Sequence, residues 1–204
     1  MILRSLLFYL TFYGFSTLLV IEAVARLTFK PSTLPDIARR WSHHHRNCLK
    51  TCLGIDVVVE GAPSEEPAIY AMKHESFFEA IDVLMLFRLP VTFAKEELFR
   101  IPGWGRVARH CGLVPVARKR GAGALRRMIS VARRFSAQGR PLIIFPEGTR
   151  VQSGQEAPLR PGFVGLYRHL DLPIIPVAVD SGRLYQRLWK RSGTITIRFL
   201  DPIP

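Results

Sequence analysis

Seven short runs rich in valine and isoleucine lie between residues 55 and 200, and stretches with helical periodicity separate several of them. Glycine or proline bounds these runs, as is typical of β-strands. The predicted strands are residues 55–60, 68–72, 91–94, 113–116, 142–145, 174–179 and 194–200, and the predicted helices are residues 77–87, 122–137 and 162–169. Strands that alternate with helices predict an α/β fold with a mixed, largely parallel sheet flanked by helices.

The chain length of 204 residues fits one domain, since domains usually have about 100–200 residues. We predict an α/β domain at residues 54–204 and an N-terminal pair of hydrophobic and amphipathic helices at residues 1–53. Hydrophobic residues make up 48% of the chain and charged residues 22%, and this composition excludes a disordered or collagen-like polypeptide.

The N-terminal segment contains an uncharged, mostly apolar run at residues 5–21, between Arg4 and Glu22. A helix of that length measures about 25 Å, close to the ~30 Å hydrocarbon core of a bilayer, so it can span the core or lie partly immersed in it. A secretory signal peptide is the alternative, because Ala23, Val24 and Ala25 resemble a small-residue cleavage site. The length of the run, the single charge before it and Glu22 favour a retained membrane helix.

Residues 36–53 follow two proline breaks and have the pattern of an amphipathic helix. One stripe carries Ile37, Trp41, Cys48 and Cys52. The other side carries Arg39, Arg40, His43, Arg46 and Lys50. This pattern fits a helix in the membrane interface with its cations among headgroups, and it fits equally a helix that packs on the protein core.

Three consecutive histidines, His43, His44 and His45, lie within this second segment. Consecutive side chains on a helix point ~100° apart, so the three imidazoles cannot converge on one metal ion. We expect all three to face solvent or lipid headgroups.

The net charge of +13 indicates an anionic partner. The mean hydropathy of +0.14 is high for a free nucleic-acid-binding protein, so the combination favours an anionic membrane surface. Three cysteines cannot form a closed disulfide framework, and their number is typical of a reducing compartment.

A histidine and an acid follow the second predicted strand. The local sequence is Lys73-His74-Glu75-Ser76-Phe77-Phe78-Glu79. His74 and Glu79 would be ~140° apart in one continuous helix, so they can meet only if His74 precedes the helix and Glu79 lies in its first turn. A histidine oriented by a carboxylate is a general base. Ser76 and Glu79 also have the spacing of a helix capping box, which leaves two roles open for the glutamate.

A second unusual loop follows the fifth predicted strand. Its sequence is Phe145-Pro146-Glu147-Gly148-Thr149-Arg150. Pro146 ends the strand, Gly148 permits close backbone approach, and Arg150 can donate two hydrogen bonds to a phosphate or carboxylate. Taken alone, the loop is equally consistent with a simple turn that carries a solvated arginine.

The two loops together resemble the paired motifs of the glycerolipid acyltransferases that acylate 1-acylglycerol 3-phosphate. Residues 95–98 with residues 101–105 are similar to the second sequence block of that family, and residues 172–177 are similar to its fourth. The resemblance covers nearly the whole chain, including the N-terminal segments, which the family uses to associate with membranes. The chain departs from the family at Glu79, where Asp is usual, and at Lys73, where Asn is usual. It ends at Pro204, soon after the last predicted strand, where relatives usually run on.

The resemblance implies transfer of a fatty acyl group from acyl-CoA or acyl carrier protein to the sn-2 hydroxyl of lysophosphatidic acid, which forms phosphatidic acid. His74 would be the general base and Glu79 its orienting acid. The residues implied in substrate binding are Lys95, Arg118, Glu147, Gly148, Thr149 and Arg150. An alcohol can attack a thioester directly once a base removes its proton, so we expect no acyl-enzyme. Cys111 lies outside every matched motif and is expected to be a buried small hydrophobe.

Two other functions remain open: an acyltransferase for glycerol 3-phosphate or a lyso-aminolipid, and a non-catalytic basic membrane- or RNA-binding module. Arg126, Arg127, Arg133 and Arg134 predict one helical stripe, which is either a membrane-facing or a solvated surface. Aromatic residues do not interleave with it, so we predict no nucleic-acid partner. Metal-ligand spacing is absent, and we predict no metal and no cofactor apart from the thioester co-substrate. The expected location is the cytoplasmic face of the inner (cell) membrane.

Overall fold

The computed structural model describes residues 1–117 and 121–203. The chain begins with a 28-residue helix, α1 (Ile2–Phe29), and a short turn at Pro31–Thr33 leads into a second helix, α2 (Leu34–Cys48). Helix α2 begins slightly earlier than predicted because Pro35 lies in its first turn, where an absent N–H costs nothing.

Helix α2 continues into one wider helical turn at Leu49–Leu53. The turn ends at Gly54, whose φ of +66° is left-handed and therefore favours glycine. The chain then enters the sheet directly.

All seven predicted strands are present, and their ends differ from the prediction by no more than one residue. They are β1 (Ile55–Glu60), β2 (Ile69–Met72), β3 (Val91–Lys95), β4 (Leu113–Val116), β5 (Leu142–Ile144), β6 (Ile174–Val179) and β7 (Gly193–Phe199). They form one sheet in the order β1-β7-β6-β2-β5-β3-β4. Only β6 and β7 pair antiparallel among the described neighbours, so the prediction of a mixed, largely parallel sheet is confirmed.

The remaining helices flank this sheet. They are α3 (Phe78–Leu86), α4 (Trp104–His110), α5 (Gly121–Ser136), α6 (Pro161–Leu170) and α7 (Gly182–Tyr185). The three predicted helices correspond to α3, α5 and α6. Helices α4 and α7, and a short helical turn at Glu96–Arg100, were not predicted.

Successive strand residues point to opposite faces, and this alternation divides the core into two layers. Ile69 and Leu142 pack with α5 and α6, whereas Tyr70 and Ile143 pack with α1, α2 and α3. Both faces of the sheet are therefore covered by helices.

The N-terminal helices contribute directly to one of these layers. Phe8 and Phe12 of α1, and Cys48 of α2, belong to the same buried cluster as the sheet residues. The indole N–H of Trp41 donates to Ser16 Oγ on α1 at 2.8 Å. The apolar stripe of α2 therefore faces protein, which agrees with the core-facing alternative for this helix.

The expectation that the three consecutive histidines face solvent or headgroups is wrong for His45, and His44 is half-buried with its ring 4.3 Å from that of Phe15 on α1. His43 is exposed, but His45 is fully buried, and its Nε2 lies 2.9 Å from the hydroxyl of Tyr185. Three side chains at ~100° intervals cover most of the circumference of a helix, so one of them must point towards the packed side. Burial lowers the pKa of His45 to about 3.

Arg46 is likewise not free for headgroups. Its guanidinium donates two hydrogen bonds to the carboxylate of Asp82 on α3, at 2.6 and 2.7 Å. Asp82 is fully buried, so this ion pair fixes α2 against α3.

Helix α1 is the one helix of the described chain that is long and apolar enough to cross a membrane. Its most apolar 18-residue window has a mean hydropathy of 1.6, and only 22% of that window is buried inside the protein. Leu3 is 80% exposed and Leu10 is 74% exposed. The face of α1 that points away from the sheet is therefore largely apolar and uncovered.

Candidate active site

His74 lies where the sequence predicted it, between the end of β2 and the start of α3. Strands β2 and β5 are parallel neighbours, so the residues that follow them meet at the carboxyl edge of the sheet. The imidazole of His74 stacks on the ring of Phe145, with centroids 4.1 Å apart. The N–H of Val151 donates to the carbonyl of His74 at 2.8 Å. The two motif loops are thus held together by both side chain and backbone.

Glu79 is buried in the first turn of α3, which is the arrangement that lets it reach a histidine before the helix. Its Oε2 lies 3.4 Å from Nδ1 of His74 and accepts a hydrogen bond from the N–H of Ser76 at 3.0 Å. The same carboxylate oxygen therefore faces both the imidazole and the helix N-terminus. The separation from Nδ1 is longer than an ordinary hydrogen bond, and such contacts in catalytic sites often shorten when substrate binds.

The capping box takes a modified form. The N–H of Phe78 donates to Ser76 Oγ at 3.1 Å, while Glu79 accepts from the N–H of Ser76. Both roles considered for Glu79, helix cap and partner of His74, thus involve one carboxylate. The next acid along α3, Asp82, is engaged with Arg46.

The loop after β5 holds a second buried acid. Glu147 is 5% exposed, and its Oε1 lies 3.2 Å from Nζ of Lys73. Its Oε2 is buried without a hydrogen-bond partner in the described structure. Lys73 therefore neutralises Glu147 and joins the two loops through a partly exposed ion pair.

The remaining residues of this loop face outward. Gly148 has a φ of +63°, and a Cβ there would lie 2.9 Å from Cγ of Arg160, so both conformation and space favour glycine. Thr149 and Arg150 are exposed. The guanidinium carbon of Arg150 lies 4.1 Å from the ring centroid of Phe77, and this contact directs the cation to the His74 side of the loop.

Lys95 ends β3, the strand next to β5, and so lies at the same carboxyl edge. Its ammonium is exposed and pairs with Glu97 at 3.5 Å. Arg118 lies outside the described residues. The structure thus brings His74, Glu79, Glu147 and Arg150 into one constellation and places Lys95 along the same edge.

Sequence reasoning missed Ser181, which follows β6 and is fully buried. Its hydroxyl donates to Oε1 of Glu79 and lies 2.7 Å from Ser76 Oγ. The next residue, Gly182, donates its N–H to Oε2 of Glu75 at 2.8 Å. Burial raises the pKa of Glu75. The loop after β6 therefore contacts both acids that flank His74.

Cys111 is buried, its Sγ contacts the carbonyl of Leu34 at 3.6 Å, and burial raises its pKa to about 11. A thiol in that state is a poor nucleophile near neutral pH. Within residues 1–117 and 121–203, no three His, Cys, Asp or Glu side chains group closely enough to hold a metal ion.

A helix-covered, largely parallel sheet with a histidine–carboxylate pair and an exposed arginine at its carboxyl edge defines an α/β domain suited to activating a hydroxyl beside an anionic group. A family model described as Acyltransferase matches residues 55–180. The chain belongs to this acyltransferase family, and the membership predicted from the two motifs is confirmed.

Two similar relatives carry the same kind of name. The 1-acyl-sn-glycerol-3-phosphate acyltransferase of Cocos nucifera is 30% identical over 168 residues, which cover 80% of this chain and 54% of the relative. The 1-acyl-sn-glycerol-3-phosphate acyltransferase alpha of Homo sapiens is 30% identical over 165 residues, covering 76% and 58%. The chain thus spans little more than half the length of these curated relatives.

A solved structure shares the fold. The crystal structure of the 1-acyl-sn-glycerophosphate (LPA) acyltransferase PlsC from Thermotoga maritima superposes with a TM-score of 0.77 at 24% identity. The match covers 98% of this chain and 85% of that chain, so it includes α1 and α2 as well as the sheet.

Proposed function

We propose that this protein transfers a fatty acyl group from a thioester to the free sn-2 hydroxyl of a 1-acyl-sn-glycerol 3-phosphate, forming phosphatidic acid. The observation that carries the proposal is the buried Glu79 carboxylate, 3.4 Å from Nδ1 of His74, beside a loop with an exposed arginine. The names of the relatives support the choice of a lysophosphatidic acid as acceptor. No cofactor is required beyond the acyl donor, which is acyl-CoA or acyl carrier protein.

In the proposed mechanism, His74 acts as the general base. Its Nδ1 faces Glu79, so a proton on Nδ1 leaves Nε2 free to accept the proton of the acceptor hydroxyl. The hydroxyl oxygen attacks the thioester carbonyl, the carbon–sulfur bond breaks, and the thiolate leaves and takes up the proton from the imidazolium. Glu79 stabilises the imidazolium while it exists.

The acceptor phosphate is proposed to bind the exposed cations along the carboxyl edge. Arg150 faces the His74 side through its contact with Phe77, and Lys95 lies on the adjacent strand. Arg118 is added by the family resemblance. Glu147 and Gly148 shape the loop that carries Thr149 and Arg150. The guanidinium of Arg150 matches the geometry of a phosphate and can donate two hydrogen bonds to it.

A paired assay tests this activity. Purified protein is given acyl-CoA or acyl carrier protein thioesters with lysophosphatidic acid in anionic vesicles, and release of thiol is measured. We expect His74→Ala to reduce turnover at least ~10²-fold, as is typical when general-base catalysis is lost. His110→Ala is the matched control, since His110 is exposed on α4.

Near-normal turnover of His74→Ala would refute the mechanism. Turnover with glycerol 3-phosphate or a lyso-aminolipid in place of lysophosphatidic acid would reassign the acceptor. Vesicle binding without any turnover would indicate a non-catalytic module.

We also propose that residues 1–53 hold the protein on an anionic membrane surface, on the cytoplasmic face of the cell membrane, while residues 54–204 carry the site. The uncovered apolar face of α1 supports this division. Leu188 is 64% exposed beside α1, and the Tyr9 hydroxyl of α1 donates to its carbonyl. Because α1 also contributes to the core, deletion of the segment would expose buried residues, and point variants are the better test.

Vesicle flotation measures this attachment. Leu10→Asp and Leu188→Asp should weaken binding to anionic vesicles, since each puts a charge among apolar residues at the bilayer surface. Val58→Asp on the edge strand β1 is the control, because Val58 is 45% exposed and alternates with Val57, which packs on the α1 side, so it points to the opposite face of the sheet. Equal binding of all three variants would contradict the proposal. Mature protein that begins near Leu27 would instead support a signal peptide.

A further inference from the structure

Ser181 occupies a buried position between the end of β6 and the start of α7. Its carbonyl accepts hydrogen bonds from the N–H groups of Leu184 and Tyr185 at 3.1 and 2.8 Å, so the first turn of α7 fixes its backbone. Its side chain has no exposed surface and points at Glu79. The serine thus reaches the candidate acid from a different element than the one that carries His74.

The hydrogen bonds around Ser181 allow only one direction of donation. The N–H of Phe78 must donate to Ser76 Oγ, because an N–H group cannot accept a hydrogen bond. Ser181 has a single hydroxyl proton, which its bond to Glu79 Oε1 uses. Ser76 is then the donor in the 2.7 Å hydrogen bond between the two serine hydroxyls, because its other acceptor, Oε2 of Glu79, lies further away at 3.4 Å. The result is a buried chain of donors that runs from the N-terminus of α3 through both serines to Glu79.

We propose that Ser181 is a positioning residue for catalysis, which holds Oε1 of Glu79 so that Oε2 stays aimed at Nδ1 of His74. This inference rests on the proposed acyl transfer. With Ser181 on Oε1 and the Ser76 N–H on Oε2, the carboxylate is held from two sides, and its plane is fixed relative to the imidazole. Hydrogen bonds in such a chain also polarise one another, which strengthens the bond that reaches the carboxylate.

The neighbouring contact keeps the serine in place. The N–H of Gly182 donates to Glu75 Oε2, and a Cβ at Gly182 would lie 2.8 Å from that oxygen. A side chain at position 182 would push the Glu75 carboxylate away, so glycine favours this close approach, which fixes the loop after β6 against the loop that carries His74. The Glu79 side chain is long enough to be reached by the Ser181 hydroxyl from the loop after β6.

The experiment is a double-mutant cycle on turnover with lysophosphatidic acid. Ser181→Ala removes the donor, and we expect kcat to fall roughly 10- to 100-fold with KM nearly unchanged. Hydrogen bonds to charged groups are among the stronger ones, and the Ser181 hydroxyl contacts Glu79 and Ser76 rather than the cations proposed to bind phosphate. Glu79→Gln should lower kcat further. Adding Ser181→Ala to Glu79→Gln should then change nothing more, because the serine acts through the carboxylate.

Ser42→Ala is the matched structural control. Ser42 is also fully buried, and its hydroxyl donates to the carbonyl of Ile81 on α3 at 2.8 Å, away from Glu79. We expect similar loss of stability but normal kcat in this variant. Ser181→Thr keeps the hydroxyl and should retain most of the turnover. If Ser181→Ala does not fold, Ser181→Cys replaces it, because a thiol keeps a similar size but is a weak donor.

Two results would overturn the role of Ser181 while the proposed function stands. One is a Ser181→Ala variant with the same kcat as Ser42→Ala, in an assay where the wild type is active. The other is a double variant whose loss equals the product of the two single losses. A wild type that leaves thioester and lysophosphatidic acid unchanged would refute the proposed function itself.

Discussion

The ion pair between Arg46 and Asp82 makes a quantitative prediction about how the N-terminal helices are held. Asp82 is fully buried, and Arg46 donates two hydrogen bonds to it. These hydrogen bonds also raise the pKa of the Arg46 guanidinium. Arg46→Met would leave a carboxylate in the interior without its counter-ion, which typically costs about 3–5 kcal/mol.

That cost corresponds to a fall in Tm of about 6–20 °C, at the roughly 2–4 °C per kcal/mol that applies to chains of about 200 residues. Thermal unfolding in detergent micelles, followed by circular dichroism, measures it. The double variant Arg46→Met with Asp82→Asn should recover part of the loss, because no charge is then buried. Arg40→Met is the control, since its partner Glu22 is partly exposed and surface pairs contribute about 0–1 kcal/mol. If Arg46→Met unfolds at the same temperature as Arg40→Met, the Arg46–Asp82 ion pair does not stabilise the packing of α2 on α3.

Three further predictions concern the site and pH. Lys73→Asn should raise KM for lysophosphatidic acid about fivefold with little change in kcat, because the loop that carries Arg150 loses an ion pair of about 1 kcal/mol. Lys50→Asn, which removes an exposed ion pair with Asp56, is the control. An unchanged KM in Lys73→Asn would contradict the link through Glu147. Glu79→Asp should lower kcat at least about tenfold, because the shorter side chain withdraws the carboxylate, and full activity would contradict the geometry. His45 binds a proton near pH 6.5 in the unfolded chain but only near pH 3 when buried, so the free energy of unfolding should fall by about 2 kcal/mol between pH 7 and pH 5. His45→Gln should lack this pH-dependent loss. If the urea midpoints of wild type and His45→Gln change equally with pH, the prediction is refuted.

The sheet was predictable because its strands are short, buried and clearly bounded. Four of the six residues at 174–179 are isoleucine or valine, and Pro173 marks the start of this run. Helix α4 escaped prediction because Trp104–His110 is only seven residues long and contains a glycine, so no helical period develops. The same applies to α7, which has four residues.

The candidate site was predictable where its reactive side chains lie in one short segment of the sequence. His74 and Glu79 are close in sequence, and the start of α3 determines whether they meet. Ser181 could not be found in this way, because it lies more than a hundred residues from Glu79 and a lone serine in a loop carries no periodic signal. The error at His45 has a different origin: three imidazoles ~100° apart on a helix cannot all face solvent when one side of that helix packs against the core.

The pairing of β1 with β7 has a consequence for the order in which the chain folds. β1 is the first strand in sequence, yet its one partner in the described sheet, the parallel strand β7, comes last. During synthesis, residues 55–60 must remain unpaired until residues 193–199 have left the ribosome, and contacts over such long separations form slowly. Helix α1 is made much earlier. Its apolar surface can therefore reach a bilayer, or a chaperone, before the sheet against which its other face packs is complete.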